Sequence, residues 1–388
     1  MNIAIIGKGT SAIIQALMFI RYGHRVTIFY DSSIPEICVG ESTTPLVMNL
    51  VQNVCKISIG DMLDDGIVSL KNGIKFINWG NQDSFRHHFF SNTPLAAHFL
   101  TKKFNLYIHN ILKNYGVEYI DVNVDNVIED DDGVIICDRK FDFVTHCTGW
   151  DGLNLQYRKA IFETVNSALV YNDDYIEDYS YTVHRAHENG WQFELPFPEQ
   201  NLSRQGYLFN RNYQSLNEAK FLVNKKDMKY LEWEQRFSKK FILTKRQSVN
   251  GNCLFFIEPL QALSLHYYVI FAEMICSYLN DMNLQKYNEM NKDYLEKIIA
   301  YQNLIAFHYS YGSKFKSNFW KDTQNNAKLI VQKLAIQGDT LTYEDYIRND
   351  IFYGTEYSKL GCFTSEDHMY IHCGMMNKSK KDILNINA

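Results

Sequence analysis

Lys71 stands in the apolar run Leu70-Lys71-Asn72-Gly73-Ile74-Lys75-Phe76-Ile77-Asn78-Trp79, where a primary amine has two very different uses. Left in water it is a charge with a pKa of about 10.4; buried, it loses its proton and becomes a nucleophile. Lys75 falls on the same side at strand or helix period, so an exposed amphipathic segment is the plain alternative. A second chemistry is written in Gly7-Lys8-Gly9-Thr10-Ser11-Ala12. Gly7 permits a tight turn and Gly9 a close backbone approach. The segment turns into a helix over 11–22, whose N-terminus offers free N–H donors to a pyrophosphate. A third segment, Phe256-Ile257-Glu258-Pro259-Leu260-Gln261-Ala262-Leu263-Ser264, contains an amide, Gln261, that can orient a small polar species but cannot act as a base.

These groups need elements to hold them. Residues 2–6 are a β-branched apolar run, and 11–22 carry Ile13, Ala16, Leu17 and Ile20 at helical spacing. Gly23 stops that helix, and 25–30 read as a second strand ending at Asp31. Strand, glycine turn, helix, strand and terminal acid is the dinucleotide-binding order, with Asp31 either a ribose ligand or the start of a turn at Ser32-Ser33. Residues 95–115 read as a helix, and 117–122, 134–137 and 143–146 as strands. Cys147-Thr148-Gly149-Trp150-Asp151-Gly152 follows the last of them. Val39-Gly40-Glu41-Ser42-Thr43-Thr44-Pro45 is a polar loop leading into a helix from Pro45. Gly190-Trp191-Gln192-Phe193-Glu194-Leu195-Pro196 alternates as a strand does.

Composition narrows the setting. A hydrophobic share of 46% supplies a sizeable core and argues against disorder. A net charge of −5 without a basic run argues against nucleic acid. Eight scattered cysteines without a C-x-x-C pair indicate free thiols in a reducing cytoplasm and no metal site. No stretch of about 20 uninterrupted apolar residues is present to span a membrane, and 1–20 lacks the cleavage site of a signal peptide.

Together these segments closely resemble the flavin-dependent tryptophan halogenases. Residues 71–79 are similar to the family's active-lysine segment, K-x-x-I-K-F-x-N-W, and 39–45 to V-G-E-[AS]-T-x-P, a strap that wraps the flavin. Residues 147–152 resemble C-[ST]-G-x-x-G, 190–196 resemble G-W-x-W-x-I-P, and 256–264 resemble F-V-E-P-L-E-S-T-G. Further likeness lies at 307–320, at Phe352-Tyr353-Gly354, and at His87-His88-Phe89, where the family has Y-H-x-F. The resemblance implies an α/β fold: an FAD-binding Rossmann-type domain (GR2-like) over residues 1–155, continued by about 242–275. An antiparallel-sheet substrate layer over 156–241 and a C-terminal helical lobe over 276–388 would complete it.

It further implies that reduced FAD, from a separate flavin reductase, is used with O₂ to oxidise halide to hypohalous acid. Lys71 would direct that acid onto a small electron-rich aromatic substrate, with Gln261 orienting it. FAD would be held by Gly7, Gly9, Thr10, Ser11, Ala12, Asp31, Gly40, Glu41, Ser42, Val124, Gly149, Glu258 and Pro259. The halide, chloride, bromide or iodide, would meet Leu263 and Ser264; His88, Trp191 and Phe363 would face substrate. A homodimer is open. The chain departs from the family in having Gln261 for a glutamate, Ala262-Leu263-Ser264 for S-T-G, a shorter loop after Trp79, and no tryptophan to stack an indole. Those departures imply either an altered halide site with a more open pocket or impaired chemistry. An aromatic hydroxylase would share the nucleotide unit but has no need of Lys71, and a flavin-binding relic would not retain it.

Overall fold

A computed structural model of the chain describes residues 1–37, 39, 41–89, 96–150, 153–337 and 365–378. In chain order its first half runs β1 (Asn2–Ile6), α1 (Thr10–Arg21), β2 (Arg25–Tyr30), α2 (Pro45–Cys55), α3 (Ile59–Asp64), β3 (Val68–Lys71), β4 (Gly73–Ile77), β5 (Ser84–His88), β6 (Ala96–Phe99), α4 (Thr101–Asn114), β7 (Glu118–Asp121), β8 (Ile128–Glu129), β9 (Val134–Ile136), β10 (Arg139–Phe141) and β11 (Phe143–His146). The second half runs β12 (Tyr157–Lys159), β13 (Ser167–Asp173), β14 (Thr182–His187), β15 (Gly190–Phe197), β16 (Leu202–Phe209), α5 (Leu216–Val223), β17 (Lys229–Glu232), β18 (Arg236–Ser238), β19 (Gln247–Val249), β20 (Phe255–Phe256), α6 (Leu263–Leu279), α7 (Leu284–Ser310), α8 (Asn318–Gln337) and α9 (Ser365–Met376). The chain forms two compact units, one from 1–70, 91–159 and 236–296, the other from 71–90, 160–235 and 297–388.

The first unit is built on a five-stranded sheet in the order β19-β11-β1-β2-β7, every pairing parallel. Strands buried on both faces read as continuous apolar runs, and Ile3, Ala4 and Ile5 of β1 are wholly buried. Ala4, Phe29, Val144 and residues of β9 and β10 make one core cluster, against which Val124 packs half-buried. On the helical side α1 lies against α2, α4 and α6. Residues 260–279, α6 with the turn before it, are long and apolar enough to cross a bilayer, and most of that stretch is buried inside the protein.

The helix expected over 95–115 is instead a strand followed by a helix. Ala96, Ala97, His98 and Phe99 are all buried, as a strand covered on both faces must be, and β6 pairs with β3. The helix begins only at Thr101, because its first free N–H there finds the Glu41 carboxylate at 2.9 Å.

The second unit carries a seven-stranded sheet in the order β17-β13-β16-β15-β14-β4-β5. Five strands come from the region read as a substrate layer; β4 and β5 are recruited from just after Lys71. β14 joins β4 in parallel, with His184 opposite Phe76, and every other pair is antiparallel.

Candidate active site

In the first unit, two glycine turns lie side by side at the carboxyl ends of neighbouring parallel strands. Ile6 of β1 pairs with His146 of β11, and the Cys147 N–H donates to the Ile6 carbonyl at 2.7 Å. The strand order reverses between these two strands, which is where doubly wound sheets bind nucleotides. Gly7 has φ 116°, and a Cβ there would overlap the Cys147 carbonyl oxygen. Gly9 and Gly149 face open space instead, with nothing within 4 Å of an added Cβ. Gly9 caps α1 without any side-chain bond, and a helix start of that kind can accept a phosphate on its first N–H groups. The arrangement fits a dinucleotide such as FAD. Thr10 is turned to the Asn105 amide oxygen at 3.1 Å, and Ser11 lies beside Gly251. Ala12 is wholly buried against the sheet. The Asp31 carboxylate accepts from both the N–H and the hydroxyl of Ser33, at 2.8 and 2.6 Å, which is the turn-starting role.

Two residues that sequence reasoning passed over hold this crevice together. His109 of α4 meets the Lys8 carbonyl with Nε2 at 2.9 Å and the Tyr119 hydroxyl with Nδ1 at 2.8 Å. A carbonyl only accepts, so Nε2 carries the proton, and burial pushes the pKa down to about 4, keeping the ring neutral. Asn250, after β19, donates to the Gln15 amide oxygen and the Tyr268 carbonyl, both at 3.0 Å, tying α1 to α6. Neither has a local sequence signature: the Lys8 carbonyl and Gln15 lie 101 and 235 residues away in the chain.

The strap segment is anchored to β6. Glu41 is 3% exposed, its carboxylate on Thr101 and its carbonyl accepting from Phe99 at 3.0 Å. Ser42 bridges His98, and Thr44 meets His266 Nδ1 at 3.0 Å. The Thr43 hydroxyl donates to the Ala97 carbonyl at 2.9 Å and accepts from the Ala97 N–H at 2.8 Å. Thr43→Val strands the buried Ala97 N–H, while the Ala97 carbonyl keeps its bond from the Thr43 N–H, and should lower the unfolding free energy by about 1–3 kcal/mol in urea titration; an unchanged midpoint would contradict it. Gly40 lies outside the described residues.

Glu258 is 1% exposed, and Pro259 opens a short turn. Gln261 (φ 66°, ψ 8°) and Ala262 (φ 56°, ψ 31°) then adopt the left-handed conformation in succession, which is unusual for residues with a Cβ. They turn the chain directly into α6, whose first residues are Leu263, buried, and Ser264, half-buried.

Lys71 ends β3 and is wholly buried. The exposed-charge alternative is thereby excluded: Lys75, on the next strand, takes that role and pairs with Glu177 at 2.8 Å. Desolvation alone drives the Lys71 pKa down from 10.5 to about 7. The Asn72 N–H donates to the Ser180 carbonyl at 2.7 Å and its carbonyl accepts from Phe89 at 2.9 Å, fixing the link into β4. The Phe89 ring lies 5.2 Å from Lys71 Nζ. Of the histidine pair, His88 is exposed and accepts from or donates to the Tyr181 hydroxyl at 2.7 Å, whereas His87 is wholly buried. Strand parity decides this, since His87 shares the face of Phe85, opposite buried Ile74 and Phe76. Trp191 is wholly buried, its ring 6.2 Å from Trp79 and 4.8 Å from His184. Phe363 and the Phe352-Tyr353-Gly354 segment lie outside the described residues. Among the described residues no group of His, Cys, Asp and Glu could hold a metal ion.

Comparison with known proteins agrees with this arrangement. The tryptophan halogenase family model matches residues 2–95 and 89–371. The tryptophan 6-halogenase ThaL of Streptomyces albogriseolus is 20% identical over 82% of this chain and 78% of its own. The structure is similar to a tryptophan 6-halogenase (SttH) of Streptomyces toxytricini, with TM-score 0.80, 14% identity, and 97% and 90% of the two chains covered. It is also similar to BrvH, a flavin-dependent halogenase of Brevundimonas sp. BAL3, with TM-score 0.79, 15% identity, and 100% and 92% covered. With nearly its whole length matched, and with the nucleotide crevice and buried lysine described above, the chain belongs to the tryptophan halogenase family, whose members are flavin-dependent halogenating enzymes.

Proposed function

We propose that this enzyme directs hypohalous acid through Lys71 onto a small electron-rich aromatic substrate in the cytoplasm. The observation that carries the reading is a lysine wholly enclosed by protein, with its pKa brought to about 7 by desolvation. Reduced FAD, renewed by a separate reductase, supplies with O₂ the oxidation that turns halide into hypohalous acid. Gly7, Gly9 and the start of α1 hold its pyrophosphate, and Gly149 lets the backbone come close. The N–H groups of Leu263 and Ser264, freed by the left-handed pair before α6, hold the halide, and Gln261 orients the acid by hydrogen bonding.

The neutral Lys71 amine either donates a hydrogen bond to the acid or takes the halogen, R-NH₂ + HOX giving R-NHX + H₂O. The arene then attacks the halogen; a C–X bond forms, the N–X pair returns to nitrogen, and the ring proton is released to it. Halogen transfer to nitrogen needs the unprotonated amine, so by that route the halogenation rate should rise through pH 7 and level off above about pH 8. A flat profile from pH 6 to 9 would count against halogen transfer to Lys71 and favour hydrogen-bond donation.

The direct test is mass spectrometry of an electron-rich arene panel incubated with enzyme, FAD, a reductase and chloride, bromide or iodide, with Lys71→Ala in parallel. Halogenated product that is lost in the variant supports the proposal, and the halide ranking reports on the Ala262-Leu263-Ser264 turn. Hydroxylated product indicates a monooxygenase, and bound flavin without product over a wide panel indicates a relic.

A further inference from the structure

A directing amine must stand within about an ångström of its working position, and the backbone that carries it has to supply that constancy. Directly after Lys71, the Asn72 N–H donates to the Ser180 carbonyl at 2.7 Å. Ser180 belongs to residues 174–181, the link from β13 to β14, which has no helix or strand of its own. Side-chain bonds hold this link, all of them inside the unit that contains Lys71. On the hairpin, Lys75 of β4 stands opposite Arg86 of β5, and two cations so placed repel. Two successive acids of the link answer them. Glu177 pairs with Lys75 at 2.8 Å and with Arg185 of β14 at 3.1 Å, so one carboxylate joins two parallel strands. Asp178 pairs with Arg86 at 2.9 Å and accepts from the Ser180 N–H at 3.2 Å. Ser180 is thus fixed through its N–H while its carbonyl fixes Asn72.

The link is anchored on its other side as well. The Glu177 N–H donates to the Glu194 carboxylate of β15 at 2.5 Å, and the Tyr175 carbonyl accepts from the Ser203 hydroxyl of β16 at 2.6 Å. The bond from Lys75 holds the Glu177 carboxyl down to about 2, so it is charged throughout the neutral range. An isolated surface pair contributes little, but these bonds share members and reach β16, β15, β14, β4 and β5. We propose that Glu177 and Asp178 form a clasp that positions Lys71, locking the β4–β5 hairpin and Asn72 to the start of β14. Its use in the reaction rests on Lys71 being the halogen-directing amine. Both acids act through the Asn72 backbone and are positioning residues. Without them the cations of β4 and β5 push the hairpin apart, Lys71 shifts with Asn72, and water reaches the amine.

The test needs neither flavin nor halide. With lysines labelled at ¹⁵Nζ, an NMR titration follows the Lys71 amine, assigned by the signal missing in Lys71→Met. Desolvation is what depresses this amine, so water admitted by a loosened clasp should raise its pKa by at least about half a unit. That rise is expected in Glu177→Ala and in Asp178→Ala, each serving if the other does not fold. Removing a negative charge acts in the opposite direction, because a carboxylate favours the protonated amine. The sign therefore separates positioning from a direct field effect, and an acid that only adds stability leaves the amine of the folded protein unmoved. A smaller rise or a fall in either folded variant overturns the clasp and leaves the halogenase reading intact. The expected rise in a protein that makes no halogenated product upholds the clasp as the support of Lys71 and overturns that reading.

Discussion

Replacing Lys71 with methionine should abolish halogenation and, at the same time, make the protein more stable. Loss of the directing amine is expected to reduce product formation by about 10³-fold or more, because methionine has neither an N–H to donate nor a nitrogen to take the halogen. The stability gain has a separate cause. A fully buried amine whose pKa falls from 10.5 to about 7 is penalised, when charged, by ~5 kcal/mol at 1.36 kcal/mol per unit. Between those two values the unfolded chain binds more protons than the folded one, so wild-type stability rises with pH across this window. The advantage of Lys71→Met is therefore greatest below pH 7, falls to roughly 2 kcal/mol near pH 9, and vanishes toward pH 10.5. Urea unfolding of both proteins at pH 6 and 9, with product analysis, checks the two effects together. A variant that keeps halogenating refutes the role of the amine; one that gains nothing at pH 6 refutes its burial.

Two glycines separated by one residue should respond in opposite ways to alanine. Gly7 sits at φ 116°, and its Cβ would overlap the Cys147 carbonyl, so Gly7→Ala must push apart the turns after β1 and β11. Destabilisation of about 2–4 kcal/mol is expected, with FAD affinity falling by at least about 100-fold. Gly9 has φ −72°, which alanine adopts without strain, and an added Cβ there meets no protein atom. Gly9→Ala should unfold within about 1 kcal/mol of wild type yet bind FAD at least about tenfold more weakly, because the methyl group stands where the pyrophosphate must approach. Thermal unfolding and fluorescence titration with FAD separate these outcomes. Equal affinity in Gly9→Ala would place the phosphates elsewhere.

Much of the nucleotide half is legible in the sequence. β1, α1 and β2 fall within a residue of where periodicity and Gly23 put them, and β15 matches the alternating stretch from Gly190. These elements are encoded locally, by side-chain period and by positions that demand positive φ. The misreading at 95–115 has the opposite origin. Ala96 to Phe99 has no strand-like alternation, since both of its faces are covered, and only pairing with β3 and the carboxylate of distant Glu41 shows where the helix can start.

Residue type and spacing singled out the glycine turns, and likeness to the halogenase motifs singled out Lys71 and the Gln261 segment, because a close backbone approach, a reactive amine and a non-basic amide are properties of single residues in short contexts. Tertiary structure alone decided that Lys71 is buried while Lys75 pairs with Glu177, that His87 rather than His88 faces inward, and that His184, His308 and His368 are buried as well. Burial and proton affinity depend on what the rest of the fold packs around a group, and His87 and Asp367 meet across 280 residues of chain. No local pattern records such a contact, because the desolvation that changes the chemistry of these groups exists only once the sheet and helices have closed over them.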